Sequence, residues 1–202
     1  MSTPDPATAR PPLRRDAQRN RDRILEAARR IFREQGASAP VEEIARGAEV
    51  GMGTLYRHFP TKDALIDAIA VARFAEMVEA GEEAVTNDNA AEGLEGLLRV
   101  VLEMQIIDRG FRDALSAVTG LKGGEAIELR DQLRGHMTSL LRRAQAAGQY
   151  RDDLNGDDIS ALIWSTGRIV ERAGDDAERL ATRFQTVHLD GFRTATPSTL
   201  TA

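Results

Sequence analysis

The sequence predicts an all-α fold, and three observations carry the prediction. Between the two tails every apolar pattern repeats at helical spacing, and no segment alternates as a strand would. Gly and Pro punctuate those patterns where helices stop. Only 4% of the 202 residues are aromatic while 29% are charged, a balance that suits amphipathic helices.

Residues 1–15, with Pro4, Pro6, Pro11 and Pro12 among Ser, Thr and Ala, read as a disordered basic arm carrying Arg10, Arg14 and Arg15. The first helix is expected from Asp16 to Gln35, with Ile24, Ala28, Ile31 and Phe32 on one face and Gly36 as its stop. A short helix over Val41–Ala48 opens at Pro40, a residue suited to a first turn. Gly51 and Gly53 bracket Met52 before another short helix, which Pro60 ends after Phe59. Thr61 is placed to cap a long helix to about Ala80, with Leu65, Ile69 and Ala72 inward. The first three helices form a unit at residues 16–62, ahead of a helical bundle at residues 63–193.

Within that bundle Asn87–Ala90 reads as a loop, and Ala91–Asp108 gathers Leu94, Leu97, Leu98, Val101 and Met104 on one side. Phe111–Val118 reads as a shorter helix between Gly110 and Gly120. Glu125–Ala147 carries the stripe Leu129, Leu133, Met137, Leu140 and Ala144, and Gly148 stops it. Gly156–Arg172 and Asp176–Phe192 make a final pair joined at Gly174, and residues 194–202 read as a disordered tail. About nine helices are expected in all.

Composition removes several function classes. The absence of Cys excludes disulfides, thiolate zinc sites, iron–sulfur clusters and cysteine nucleophiles. His58, His136 and His188 lie far apart, without metal-ligand spacing. No nucleophile–base pair and no phosphate-cradling Gly loop occurs, so no enzyme, catalytic residue, metal or cofactor is expected. No apolar run approaches the roughly 20 residues that span a bilayer, and Met1–Pro12 lacks a secretory apolar segment, so a cytoplasmic protein without a membrane partner is expected. The net charge of −5 conceals an asymmetry. Residues 1–62 hold 12 Lys+Arg against 8 Asp+Glu, and the remaining 140 hold 15 against 24. A basic N-terminal third is the footprint of an anionic polymer partner, or a chance surface imbalance; charge by itself decides nothing.

Residues Val41–Phe59 supply the deciding pattern: VEEIARGA, EVG, then MGTLYRHF. Two short helices surround a tight turn, Ala45 is small where they must approach, and Ile44, Val50 and Leu55 form the apolar wedge between them. This is the layout of a helix-turn-helix, whose second helix enters the major groove. That helix presents Met52, Gly53, Thr54, Tyr56, Arg57 and His58. Gly53 lets the backbone come close, Thr54 and Tyr56 offer hydroxyls, and Arg57 offers charge. Lys62 sits in the first turn of the next helix, where the dipole disfavours a cation unless a phosphate shares the place.

At these residues the sequence resembles the TetR family of bacterial transcriptional regulators. The match runs from Arg23–Phe32 (RILEAARRIF) through Gly36 and Glu43–Ala45 to Gly53–Phe59 (GTLYRHF) and Thr61–Leu65 (TKDAL). The resemblance implies an all-helical homodimer that binds a palindromic double-stranded operator and responds to a small-molecule effector, most often as a repressor. It further implies base or groove contacts at Met52, Gly53 and Thr54, and phosphate contacts at Tyr56, His58 and Lys62. Two positions depart from the family pattern. Glu49 stands where a Gly is usual, so a turn strained by about 1 kcal/mol is expected there. Pro40–Val41 replaces a Thr often used at the start of the second helix. Tyr150–Arg172 is similar to the penultimate helix of one subgroup.

Beyond the motif the expectations rest on pattern breaks. Gln105 falls on the apolar face of its helix and Asp108 near its edge; a buried polar group needs a partner, which is either an effector or solvent at the helix end. An effector pocket is therefore expected at Met104, Gln105, Met137 and Leu141. Trp164 points away from the main stripe of its helix, alongside Ala161, Arg168 and Glu171. A dimer interface is expected at Trp164, Arg168, Phe184 and His188. The alternative to a regulator is a helical interaction or adaptor module without specific DNA binding.

Overall fold

The structure, a computed structural model, describes residues 12–108, 111 and 124–193. Eight α-helices occur among them: α1 (Pro12–Gln35), α2 (Val41–Gly47), α3 (Met52–His58), α4 (Lys62–Ala84), α5 (Ala90–Ile107), α6 (Gly124–Ala146), α7 (Gly156–Arg172) and α8 (Ala177–Phe192). A short 3₁₀ turn, Gly174–Asp176, joins the last two, and no strand occurs among the described residues. The fold is all-α, as the periodicity requires. The helix expected over Phe111–Val118 lies outside the described residues apart from Phe111, as do most of the arm and the whole tail. No described helix is long and apolar enough to cross a membrane.

Helix ends follow the chemistry of their residues. Gly36, Gly148 and Gly174 take positive φ, which Gly adopts without steric cost. Thr61 caps α4 by accepting from the Ala64 amide at 3.0 Å. Asn155 and Asp158 form a reciprocal capping box at the start of α7. Three boundaries differ from expectation. α1 begins at Pro12, a turn earlier, because a proline fits the first helical position. Pro40 is the residue before α2, with an extended ψ of 138°, and Val41 opens the helix. α4 continues past Gly81 to Ala84. Gly81 is no stop; a Cβ there would come within 2.9 Å of the His136 ring, so the glycine permits close packing of α4 on α6.

Two hydrophobic cores share α4. The first joins Ile24, Ile31 and Phe32 of α1 to Ile44, Leu55 and Phe59, and closes on Leu65 and Ile69 of α4. The second begins one turn later with Phe74, Met77 and Val78, and takes in Leu94, Leu98, Leu133, Leu140, Ile159 and Phe192. α4 packs most extensively on α6, and α7 on α8. Arg143 of α6 ties the end of α4 down, donating to the carbonyls of Val85 at 2.6 Å and Asn87 at 2.7 Å.

Candidate nucleic-acid interface and interior cavity

The turn between α2 and α3 is built by three backbone bonds. Ala48, Glu49 and Val50 amides donate to the carbonyls of Ile44 (2.9 Å), Arg46 (3.1 Å) and Ala45 (3.0 Å). Closing it puts Glu49 at φ 52°, the one non-glycine residue with positive φ among the described residues. Its carboxylate receives Arg23 of α1 at 2.6 Å. Ile44, Ala45 and Leu55 are buried at the crossing, which fixes α3 against α1 and α2.

α3 thereby turns a polar face to solvent. Gly53 and Arg57 are exposed, Tyr56 is 44% exposed, and Thr54 and His58 are half-buried. Gly51 and Gly53 have open space where a Cβ would stand, so a partner can approach that backbone closely. Met52 is different: it packs partly against the first core and so supports the helix as well as edging its face. Phe59 is core, with the Arg21 guanidinium 5.3 Å from its ring. The Lys62 ammonium stands 5.9 Å from the Phe32 ring, at the outer limit of a cation–π contact. The structure thus gathers Gly53, Thr54, Tyr56, Arg57 and His58 on α3, followed at once by Lys62 at the start of α4.

The second core borders a cavity that opens to the surface beside Trp164. This cavity, of about 300 Å³, lies among α4, α5, α6 and α7, at the low end of the size usual for small-molecule sites. Its apolar wall is made by Phe74, Met77, Val101, Phe111, Leu133 and Met137. Gln105 reaches it from α5, 2% exposed, with its Nε2 donating to the Ile163 carbonyl at 3.1 Å. Gly167 makes room for that side chain, since a Cβ there would stand 2.4 Å from the Gln105 Oε1. Of the four residues expected to form a pocket, Gln105 and Met137 line the cavity; Met104 and Leu141 pack in the core beside it.

Asp108 has a protein partner. It is 2% exposed at the end of α5, and Arg73 of α4 donates to its Oδ2 through Nε at 2.9 Å. Its Oδ1 accepts the amide of Phe111, a cavity wall residue, at 2.9 Å. Arg73 also meets Glu76 at 2.8 Å, and Glu76 meets Arg29 of α1 at 3.5 Å. Burial alone would lower the pKa of Arg73, but Glu76 and Asp108 outweigh it and hold that pKa above its ordinary value. A continuous run of charge therefore connects the cavity wall to the helix that carries the first core. Sequence spacing cannot show this, because Arg73 and Asp108 are 35 residues apart.

Trp164 and Arg168 also line the cavity, with Trp164 at its edge and 66% exposed. Phe184 and His188 lie on α8 by a second, shallower depression between α7 and α8. Their ring centroids lie 3.9 Å apart with the planes tilted by 41°, and His188 Nδ1 lies 2.7 Å from the Phe184 carbonyl, which can only accept, so that hydrogen bond has its hydrogen on Nδ1. Leu180 and the 66%-exposed Val187 stand two turns apart on the same side of α8.

Comparison with known proteins joins both halves. Residues 24–69 match the family described as "Bacterial regulatory proteins, tetR family", and residues 89–194 match "Transcriptional regulator SbtR-like, C-terminal domain". The chain belongs to the TetR family. Among solved structures, the TetR regulator SCO0520 from Streptomyces coelicolor is 34% identical, with a TM-score of 0.63 over 87% of this chain and 99% of that one. A TetR regulatory protein from Mycobacterium vanbaalenii is 36% identical, with a TM-score of 0.60 over 91% and 100%. The transcriptional regulator UidR of Escherichia coli K12 is 45% identical over 75 residues, which span 33% of this chain and only 38% of UidR. TcmR of Streptomyces glaucescens is 27% identical across 89% of this chain and 85% of its own length. These relatives are transcriptional regulators, and the two solved ones share the fold over most of both chains.

Proposed function

We propose that this protein is a sequence-specific DNA-binding regulator, acting as a homodimer that represses transcription until a small molecule releases it from a palindromic operator. The observation that carries the reading is the solvent face of α3. A rigid helix-turn-helix presents Gly53, Thr54, Tyr56, Arg57 and His58 together, and Lys62 follows within the same stretch that matches the family. In this reading residues 16–62 hold the DNA-reading helices and residues 63–193 the effector site and the dimer contact. Met52, Gly53 and Thr54 read the groove, while Tyr56, Arg57, His58 and Lys62 hold phosphates. Such a protein works in the cytoplasm, where bacterial DNA is.

The dimer is proposed to form through α7 and α8, supported by Trp164, Leu180 and Val187, large apolar side chains left in water on those two helices. Release is proposed to pass from the cavity through Phe111, Asp108, Arg73, Glu76 and Arg29 to α1, since each link is a contact between neighbouring elements. Linkage then demands that effector and operator weaken each other equally.

Selection of bound duplexes from random DNA, followed by titration at several salt concentrations, tests the reading. The expected site has two-fold symmetry, with affinity falling steeply as salt rises. Equal affinity for selected and scrambled duplexes, or a monomer in ultracentrifugation, overturns it in favour of a helical adaptor.

A further inference from the structure

Among the described residues, the charged side chains that line the cavity are all of one sign: Arg130 and Arg134, four residues apart on one face of α6, and Arg168 of α7, with no Asp or Glu beside them. Each arginine has an acidic neighbour outside the lining. Arg130 meets Asp131 at 2.9 Å, Arg134 meets Asp157 at 3.6 Å, and Arg168 meets Glu171 at 2.6 Å. Those three carboxylates are exposed, Glu171 the least at 47%, and exposed pairs of this kind contribute little net stability. They neutralise the arginines without occupying the cavity, and an incoming anion displaces them at small cost.

The interior offers the opposite chemistry. Phe74, Phe111, Met77 and Met137 present ring and thioether surface, which adapts to an apolar body of irregular shape. Gln105 and Ser160 are the neutral polar side chains of the described lining; the Gln105 Nε2 donates to the Ile163 carbonyl and the Ser160 hydroxyl to the Gly156 carbonyl. An arginine offers a planar fork of donors that suits a carboxylate better than any neutral group. A cationic ligand would find no carboxylate in the described lining, and a wholly polar one would strip water from the apolar wall without return.

We infer that the cavity takes a small amphipathic carboxylate, its apolar body among Phe74, Phe111 and Met137 and its anionic end toward Arg130, Arg134 and Arg168. This inference rests on the proposed regulator only for its consequence, release of DNA; binding itself is independent of that reading. Trp164 lines the same cavity and is the only tryptophan of the chain, so its emission reports occupancy without a label.

The test uses the full-length protein and shape-matched pairs: octanoate against octanamide and octylamine, and phenylacetate against phenylacetamide, at fixed ionic strength. Trp164 emission and calorimetry are the readouts for binding, and fluorescence anisotropy of the selected operator duplex is the readout for release. Carboxylates are expected to bind at least tenfold more tightly than their amides. In Arg134→Met and Arg130→Met that preference should fall below threefold, with amide affinity unchanged. Arg142→Met, an exposed arginine of the same helix outside the lining, should keep the full preference. Amides or amines binding as tightly as carboxylates, or no member of either series binding up to millimolar concentration, overturns the inference. If a neutral ligand releases the operator, the ligand class is wrong and the regulator stands. If carboxylates discriminate as expected but no duplex is selected, the regulator reading fails and the cavity assignment stands.

Discussion

The two cores that meet along α4 differ in what they leave over. The first, around Ile24, Phe32, Leu55 and Leu65, is made mainly of aliphatic and small residues from helices adjacent in sequence, and carries its chemistry outside on α3. The second, around Met77, Leu98, Leu133 and Leu140, draws on helices far apart in the chain and keeps a cavity of about 300 Å³. Under the proposed function, the first core would hold a recognition helix still, as reading base edges at fixed spacing requires. The second borders a cavity that a ligand could rearrange, and native packing makes such rearrangement discrete rather than gradual. The proposal thus gives rigidity to the reader and adaptability to the sensor, with α4 common to both.

The strongest way to break that contrast is to remove Asp108. Its carboxylate and Arg73 form an ion pair buried on both sides, and losing one partner of such a pair costs about 3–5 kcal/mol. Glu76 still meets Arg73, so the lower end is expected. Asp108→Ala should destabilise the second core by about 3 kcal/mol in urea unfolding followed through Trp164. In the folded protein, operator affinity should survive while its response to a cavity ligand weakens. Full coupling between ligand and operator in that variant would remove the charge run from the proposed route.

Trp164 comes next in expected size. A large aromatic 66% in water on α7 suits a subunit contact, where Trp is prominent among the residues that dominate association. Trp164→Ala should weaken dimerisation by about 2 kcal/mol or more in sedimentation equilibrium. Because the same side chain edges the cavity, ligand affinity should fall as well. An unaltered dimer with reduced ligand binding would assign Trp164 to the sensor alone.

The two regions also differed in how much the sequence revealed. In the first, Gly36, Glu49, Thr61 and the residues of α3 were identifiable because helix stops, tight turns and caps are decided within a few residues. In the second, helix identity was equally legible, but the cavity only in part: Gln105 and Met137 could be placed at it, and its other walls could not. Phe74, Arg134 and Gly167 face one another only after four helices pack, and no local pattern sets that geometry. Signals existed at two points: arginines four apart beside an apolar stripe at Arg130 and Arg134, and a glycine within the apolar stripe of α7 at Gly167. The continuation of α4 past the expected Ala80 has the same cause: Gly81 lies within the helix and admits His136 from another helix.

Within the reader, positioning and reading should separate. Lys62→Ala should weaken binding to every duplex by about 1 kcal/mol and make the salt dependence shallower by about one charge. Tyr56→Phe should act in the same sequence-blind way, more weakly. Thr54→Ala should instead change the ranking of operator variants at one base pair. Anisotropy titrations against a set of single-base operator variants at two salt concentrations distinguish these results. A change of base preference in Lys62→Ala would reverse the assignment.

The smallest expected effect tests whether the reader's rigidity carries strain. Glu49 holds φ 52° in the turn before α3, a conformation that costs a residue with a Cβ about 1 kcal/mol and glycine almost nothing. Replacing it with glycine also removes the Arg23 contact, which lies at the surface and offsets only part of that strain. Greater freedom of glycine in the unfolded chain takes back a further part. Glu49→Gly should therefore stabilise the first core by a few tenths of a kcal/mol and at most about 1 kcal/mol. It should also strengthen DNA binding slightly, because a carboxylate next to the recognition helix repels phosphates. Thermal unfolding and anisotropy at low and high salt separate these contributions: strain relief is independent of salt, whereas removal of the charge matters chiefly at low salt. A loss of stability would mean that the Arg23 contact contributes more than the turn costs, and that Glu49 is held in place by α1 rather than tolerated by it.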